Sequence, residues 1–437
     1  MTASNLQQQQ ELQRLDALDP TRSVWVSASA GSGKTTLLTE RVLRLLLQNR
    51  IENRTRLPNI LCLTYTKSAA AEMQNRIHKQ LGQWATLPEA ELQHKLEASF
   101  QIKTNTDVLK KARRLFAQVL ERPDAIRIMT MHAFCQMILN RFPHEAGLAP
   151  HFTLLEGEAE KRFQQQVLTQ CYADINKSAY LTMALHTLGQ TQASSRTADM
   201  LEQVFKNTAK WVQHFAAFPT LADYAKHLQQ RLGLQFTGSI DDFLKSHCYE
   251  PALPEQAMLQ AAQYLQSGTK ADIERGNAIS YWINDTSNRI ACFDDYATIF
   301  LTANDEIRKT LFTKEVSKKH PDIIEIMSRE ASRIEAVVQQ RNALLFYHQQ
   351  CAFYQLSHHL WHVLGVLKQR HAQLTYDDLI LTTRELFAKP DVAPWILYKL
   401  DGGIDHILID EAQDTSPQQW DIVFLLVAVV VAGMVSR

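Results

Sequence analysis

The spacing of apolar residues changes character several times along the chain. Residues 1–20 are polar and glutamine-rich and read as the lead-in to one helix. Residues 23–27, Ser-Val-Trp-Val-Ser, are rich in β-formers between polar neighbours and read as a short buried strand. From Thr36 to Gln48 the apolar positions Leu37, Leu38, Val42, Leu45 and Leu46 fall on one side of a helix. Pro58 interrupts, residues 60–65 form a second apolar strand candidate, and residues 69–81 return to helical spacing. This order of strand, loop, helix, strand and helix is how an α/β parallel sheet begins.

Residues 84–122 are charged and helical. A third strand is expected at 126–130, with a helix over 133–142. Residues 155–370 carry helical spacing without a βαβ rhythm, punctuated by Pro219, Pro251, Pro254 and a Gly-Ser pair near 238. Strand character reappears at 406–410, and no repeat of solenoid period is found. The predicted organisation is therefore a sheet domain begun by 1–154, with a helical insert at about 84–122. A large helical insertion spans 155–370, and 371–437 returns to the sheet domain.

Composition narrows the class. At roughly 150 residues per domain, 437 residues suggest about three domains. Lys+Arg and Asp+Glu are equal at 46 each, so any polyanion site must be a local patch rather than bulk charge. Residues 1–70 hold nine Lys/Arg against five Asp/Glu, and 103–127 hold seven against three. Either excess fits a polyanion site or an ordinary solvated face. Cys62, Cys135, Cys171, Cys248, Cys292 and Cys351 lie far apart without a CxxC pair, which argues against a disulfide framework or zinc ribbon. No signal-peptide pattern opens the chain, and the apolar run at 423–435 is too short to span a bilayer. A cytoplasmic protein with no membrane partner is expected. His358, His359 and His362 share helical spacing, but no acidic third ligand accompanies them, so a helix surface is the better reading.

Two segments carry chemistry. Ala28-Ser29-Ala30-Gly31-Ser32-Gly33-Lys34-Thr35 follows G-x-x-x-x-G-K-[ST] except for its first residue, and lies between a strand candidate and an amphipathic helix. Small residues let backbone N–H groups curl around a phosphate, and the helix that follows presents its positive end. Lys34 can reach the β- and γ-phosphates, and the Thr35 hydroxyl can ligate Mg²⁺. Residues 407–411, Ile-Leu-Ile-Asp-Glu, are an apolar strand ending in two acids. Asp410 is placed to hold Mg²⁺ at the strand's carboxyl end, and Glu411 to polarise an attacking water. Either segment alone has a bland reading, a glycine-rich turn or a solvated loop. Together they describe a nucleoside-triphosphatase core.

The tail of the acid box, Asp410-Glu411-Ala412-Gln413-Asp414-Thr415, resembles the DExQDT motif of superfamily 1 helicases of the UvrD/RecB type. Thr64-Tyr65-Thr66 with Ala69-Ala70-Ala71-Glu72-Met73 resembles motif Ia, and Thr130-Met131-His132-Ala133-Phe134 resembles the TxHxF motif Ib. Thr375-Tyr376-Asp377-Asp378-Leu379 is similar to the D[FY]xDL segment before the acid box. The residues around Trp25, Arg141-Phe142-Pro143-His144-Glu145-Ala146 and the stretch 398–406 narrow the resemblance to AddA, the helicase-nuclease subunits of AddAB double-strand break repair complexes.

That resemblance implies a RecA-like 1A domain with a helical 1B insertion, ATP and Mg²⁺ as cofactors, and 3′-5′ helicase activity. It implies two kinds of partner near the bacterial nucleoid: single- and double-stranded DNA, and an AddB-like nuclease subunit. It assigns the triphosphate and Mg²⁺ to Gly31, Gly33, Lys34, Thr35 and Thr36 with the rest of the loop. Asp410 becomes the metal carboxylate, Glu411 the base, Gln413 the γ-phosphate contact and Gln13 an adenine reader. Thr64, Tyr65, Thr130, His132 and Phe134 fall on the single-strand path, although core packing is an equally open role for Tyr65 and Phe134, and His132 could be a plain core histidine. The sequence departs from the family after the acid box, where 427–435 has no counterpart and no second RecA-like or nuclease domain follows. A truncated half with little turnover, acting as a nucleotide- or DNA-binding fragment, is therefore the alternative expectation. A P-loop ATPase or kinase unrelated to DNA would leave Gln413-Asp414-Thr415 and the TxHxF segment without a role.

Overall fold

The computed structural model describes residues 3–29, 33–48, 57–189, 194–249, 251–390, 392–399 and 403–435. The chain divides into two compact units, 1–161 with 368–437, and 162–367.

The first unit contains α1 (Ala3–Leu18), α2 (Lys34–Leu47), β1 (Ile60–Thr64), α3 (Lys67–Thr86), α4 (Glu89–Phe100), α5 (Thr106–Glu121), β2 (Ile126–Thr130), α6 (Met131–Arg141) and β3 (Thr153–Leu154). The second unit begins within α7 (Gly157–Ile175). It continues through α8 (Ala179–Gly189), α9 (Ser194–Lys206), α10 (Thr208–Ala217), α11 (Leu221–Leu232), α12 (Ile240–Cys248) and α13 (Glu255–Leu265). There follow α14 (Lys270–Asn284), α15 (Phe293–Phe300), α16 (Lys314–Lys319) and the 49-residue α17 (Ile323–His371). The chain then re-enters the first unit as β4 (Gln373–Leu374), α18 (Tyr376–Ala388), α19 (Val392–Lys399), β5 (His406–Ile409) and α20 (Pro417–Val435).

The main sheet is parallel throughout, in the order β2-β1-β5. Leu63 lies opposite Met129 on one side and Ile409 on the other. The central strand, Ile-Leu-Cys-Leu-Thr, is buried at every position, as expected of a parallel strand covered on both faces. Its alternation divides the core. Ile60 and Cys62 join an apolar cluster with Val42, Leu46, Met73, Trp84 and Leu115. Leu61 and Leu63 join another with Phe134, Ile138, Leu379, Ile396 and Ile422. Helices α2 to α5 thus cover one face and α6, α18, α19 and α20 the other. A second, two-stranded parallel sheet pairs β3 with β4.

Local signals account for the element ends. Gly33 caps α2 in the left-handed region (φ 86°), where a side chain would be strained. Thr66 and Thr130 cap α3 and α6 by accepting from the N–H groups of Ala69 and Ala133. Asp405 accepts from the Asn59 N–H at 2.8 Å and its own N–H donates to the Asn59 carbonyl, which pins the start of β5 to β1.

One expected element is not formed. Residues 23–27 have no ladder partner, and Val24, Trp25 and Val26 are exposed, Trp25 to 73%. A lone strand has no internal hydrogen bonds and requires a neighbouring backbone. Trp25 instead packs its ring 6.0 Å from Trp420. The apolar run at 423–435 continues α20, and among the described residues no helix is long and apolar enough to cross a membrane.

The second unit is helical and has its own core, centred on α13 to α15 and the first half of α17. Two buried ionic groups organise it. Arg289, almost wholly buried, donates to the Cys248 and Ile283 carbonyls and pairs with Glu255 at 2.5 Å. Asp272 accepts from Thr269 and Thr313. His358 stacks on Tyr354, and His359 lies 3.5 Å from Asp174. Among the described residues no group of three or more His, Cys, Asp or Glu could hold a metal ion.

Candidate functional site

Parallel pairing aligns the carboxyl ends of the three strands. Thr64 lies opposite Thr130, and Asp410 directly follows Ile409, the partner of Leu63. The Asp410 N–H donates to the Leu63 carbonyl at 2.8 Å, so the ladder fixes the acid at the strand end. Ligands in open parallel sheets bind at this edge.

Asp410 is 8% exposed. Burial pushes its carboxyl pKa up, and the nearby Glu411 carboxylate adds to the rise. The Glu411 N–H, donated at 3.1 Å, and the Lys34 ammonium act in the opposite direction. The charge of Lys34 therefore reaches Asp410, which ties the start of α2 to the end of β5. The Lys34 Nζ donates to the Ala28 carbonyl at 3.1 Å, folding the amine back over the loop. Ala28 and Ser29 are exposed, Thr36 is exposed and Thr35 half-buried, whereas Ala30, Gly31 and Ser32 lie outside the described residues. Glu411 adopts the left-handed region (φ 51°), uncommon for a residue with a side chain, and its carboxylate accepts from the Gln413 amide. Gln13 is exposed on α1, which is tied to α2 by the Arg14–Glu40 ion pair at 2.7 Å.

The donor set suits Mg²⁺. That ion takes one or two carboxylates and keeps the rest of its shell for water and phosphate. A buried carboxylate whose pKa is raised for want of compensating charge, near a threonine at a helix N-terminus, matches that requirement.

The residues expected on a DNA path divide by burial. Tyr65 is 61% exposed at the start of the β1–α3 turn. His132 is half-buried in the first turn of α6; burial lowers its pKa, and the Asp377 carboxylate opposes the shift. The Thr64 hydroxyl donates to the Thr66 carbonyl at 3.1 Å, and the Thr130 hydroxyl is occupied as the α6 cap. Phe134 is a correction. At 1% exposure it lies in the apolar core below the sheet, unable to offer a face to a base in this conformation. Helical spacing explains this, because Phe134 shares its face of α6 with Ile138.

Arg76 was not among the sequence candidates. From α3 its guanidinium lies 3.4 Å from the Thr36 hydroxyl and pairs with Glu72, bringing a cation to the first turn of α2. Its position one turn after Glu72 in the motif Ia helix was the available signal.

An acid-tipped strand within a doubly covered parallel sheet, faced by a lysine at a glycine-capped helix, defines a protein of the α/β nucleotide-binding type. The sequence model of the UvrD/REP helicase N-terminal domain matches residues 7–432, and the chain belongs to that family. The chain is similar to the AddA subunit of the ATP-dependent helicase/nuclease of Streptococcus sanguinis, 31% identical over 172 residues, which is 39% of this chain and 12% of that protein. The protein of the same name from Streptococcus agalactiae is 26% identical over 253 residues, 56% of this chain and 17% of the relative. That from Lactobacillus helveticus is 33% identical over 142 residues, 32% and 10% respectively. The matched stretch is thus a small fraction of these relatives' length.

Proposed function

We propose that the chain is the nucleotide-binding and strand-tracking N-terminal part of an ATP-dependent 3′-5′ DNA helicase of the double-strand break repair helicase-nuclease type. Residues 1–154 and 371–437 form its RecA-like 1A domain, and 155–370 a helical 1B-like insertion. The observation that carries this reading is the meeting of Lys34 and Asp410 at the sheet edge that also bears Thr64 and Thr130. Membership of the UvrD/REP family and the names of the relatives support it.

In this reading residues 28–36 cradle the triphosphate of ATP, with Lys34 on its terminal phosphates and Gln13 near the base. Thr35 and Asp410 hold Mg²⁺, which when bound offsets charge on the phosphates. Glu411 orients the water, and Gln413 links Glu411 to the γ-phosphate region. Thr64, Tyr65, Thr130 and His132 line the single strand, through hydroxyl and N–H donors for phosphates and an aromatic face for bases. An AddB-like nuclease subunit would complete the assembly in the cytoplasm, at the nucleoid.

A second reading, nucleotide and DNA binding without turnover, is favoured by the engagement of the Glu411 carboxylate with Gln413. Both readings are tested by titrating Mg²⁺-ATP calorimetrically into the chain and then measuring phosphate release with and without single-stranded DNA. Binding lost in Lys34→Ala together with DNA-stimulated release supports the first reading. Binding without release supports the second, and no nucleotide binding at all overturns both.

A further inference from the structure

His132 and Tyr376 are 244 positions apart, yet their rings meet edge to face with centroids 5.0 Å apart. Each sits in the first turn of a capped helix. Thr130 caps α6, and Thr375 and Asp378 form a reciprocal box at the start of α18. Asp378 also pairs with Lys368 at 2.7 Å, in a largely buried setting, so the α18 start is anchored from a second direction. The two helices pack together through the core cluster containing Cys135, Leu139, Leu379 and Ile380. The Tyr376 hydroxyl, finally, donates to the Glu156 carboxylate, and that bond raises the phenol pKa. Glu156 closely follows the β3 segment that pairs with β4, and Tyr376 lies two residues past β4. The tyrosine is therefore fixed at its backbone by a capped, ion-paired helix start and at its tip by a carboxylate. Its ring edge or face then determines where the half-buried imidazole can lie.

We propose that Tyr376 is a positioning residue for His132, and that Glu156 holds Tyr376 in the orientation that presents the imidazole to a single-stranded nucleic acid. The proposal rests on the reading of His132 as a strand contact. A phenol tethered at both ends restricts the imidazole's rotamers, so less freedom is lost when a nucleotide binds. It also shields the ring from water, in line with the lowered pKa of His132, while Asp377 is the acidic group that opposes that shift.

The test uses the full chain in the forms His132→Ala, Tyr376→Leu, Tyr376→Phe, Glu156→Ala and the double variant Tyr376→Phe/Glu156→Ala. One readout is the imidazole titration of His132 by NMR, its signal assigned by its loss in His132→Ala. The other is fluorescence anisotropy with a labelled oligothymidine. Removing the ring in Tyr376→Leu should raise the His132 pKa by about half a pH unit as water reaches it and should weaken oligothymidine binding. Tyr376→Phe and Glu156→Ala should each weaken binding by about two- to tenfold, the range of one hydrogen bond. The double variant should lose no more than either alone, because both changes cut the same tether. Should Tyr376→Leu fail to fold, that non-additivity still decides the matter. An unchanged His132 titration in Tyr376→Leu, or additive losses in the double variant, overturns the positioning role. If His132→Ala leaves binding unchanged, the strand-contact reading fails, and with it the purpose assigned to the tether.

Discussion

Tyr65 and Phe134 occupy equivalent places in the sequence argument, each an aromatic in a strand-to-helix motif, but the structure gives them opposite burial. Phe134 is 1% exposed among Leu61, Leu63, Ile138 and Leu379, whereas Tyr65 is 61% exposed. Truncating a buried phenylalanine to alanine removes its transfer free energy and leaves a cavity, together about 3–5 kcal/mol. That is a large part of the roughly 5–15 kcal/mol that holds a domain folded. Phe134→Leu keeps most of the volume and should cost about 1.5 kcal/mol or less. Tyr65→Ala should change stability by about 0.5 kcal/mol or less, as an exposed position does. Its effect belongs instead to DNA: loss of one base–aromatic stack is worth about 1–3 kcal/mol, or about 5- to 150-fold in affinity. Urea unfolding with an unchanged slope gives the stability differences, and oligothymidine anisotropy gives the affinities. Two outcomes would refute the reasoning. One is a Phe134→Ala variant destabilised by less than about 1 kcal/mol; the other is a Phe134→Leu variant that loses DNA affinity while its unfolding midpoint stays put.

Lys34→Ala should abolish measurable nucleotide binding in calorimetry while shifting the urea midpoint little, because the amine makes one exposed bond to the Ala28 carbonyl. Glu411→Gln should retain Mg²⁺-dependent ATP binding and lose turnover, whereas Asp410→Ala should lose the metal-dependent part of binding; identical binding in the two variants would remove the division of roles. Burial raises the Asp410 pKa in the folded state, so the folded chain holds that proton to higher pH than the unfolded chain. Ionised Asp410 is therefore a stability cost that sets in as pH rises above the ordinary aspartate value near 3.8 and persists at neutral pH. In a chelator, Asp410→Asn should accordingly raise the unfolding midpoint at pH 7, and the gain should vanish as pH falls to that value. A midpoint gain that grows on acidification would contradict the sign.

Several features were legible in the residues alone because they depend on short-range rules. The apolar face of Leu38, Val42, Leu45 and Leu46 and the capping glycine Gly33 specify α2 wherever it packs. The run 60–64 is apolar on both alternations, which only a strand covered on both faces requires. The chemistry around Lys34, Asp410 and Glu411 was readable because phosphate and metal ligation demand particular residue types at particular spacings. The tertiary structure decided what depends on partners. Residues 23–27 have the composition of a buried strand, but a strand's hydrogen bonds belong to its neighbour, and none of the described elements supplies one. Phe134 and Tyr65 were interchangeable as aromatic residues until the phase of α6 turned one ring into the core and the turn after β1 left the other in solvent. Arg76 near Thr36, and Tyr376 between Glu156 and His132, are contacts across 40 and more than 200 positions. No local period encodes such pairs; they exist because parallel strands and their covering helices bring distant helix N-termini to one edge of the sheet.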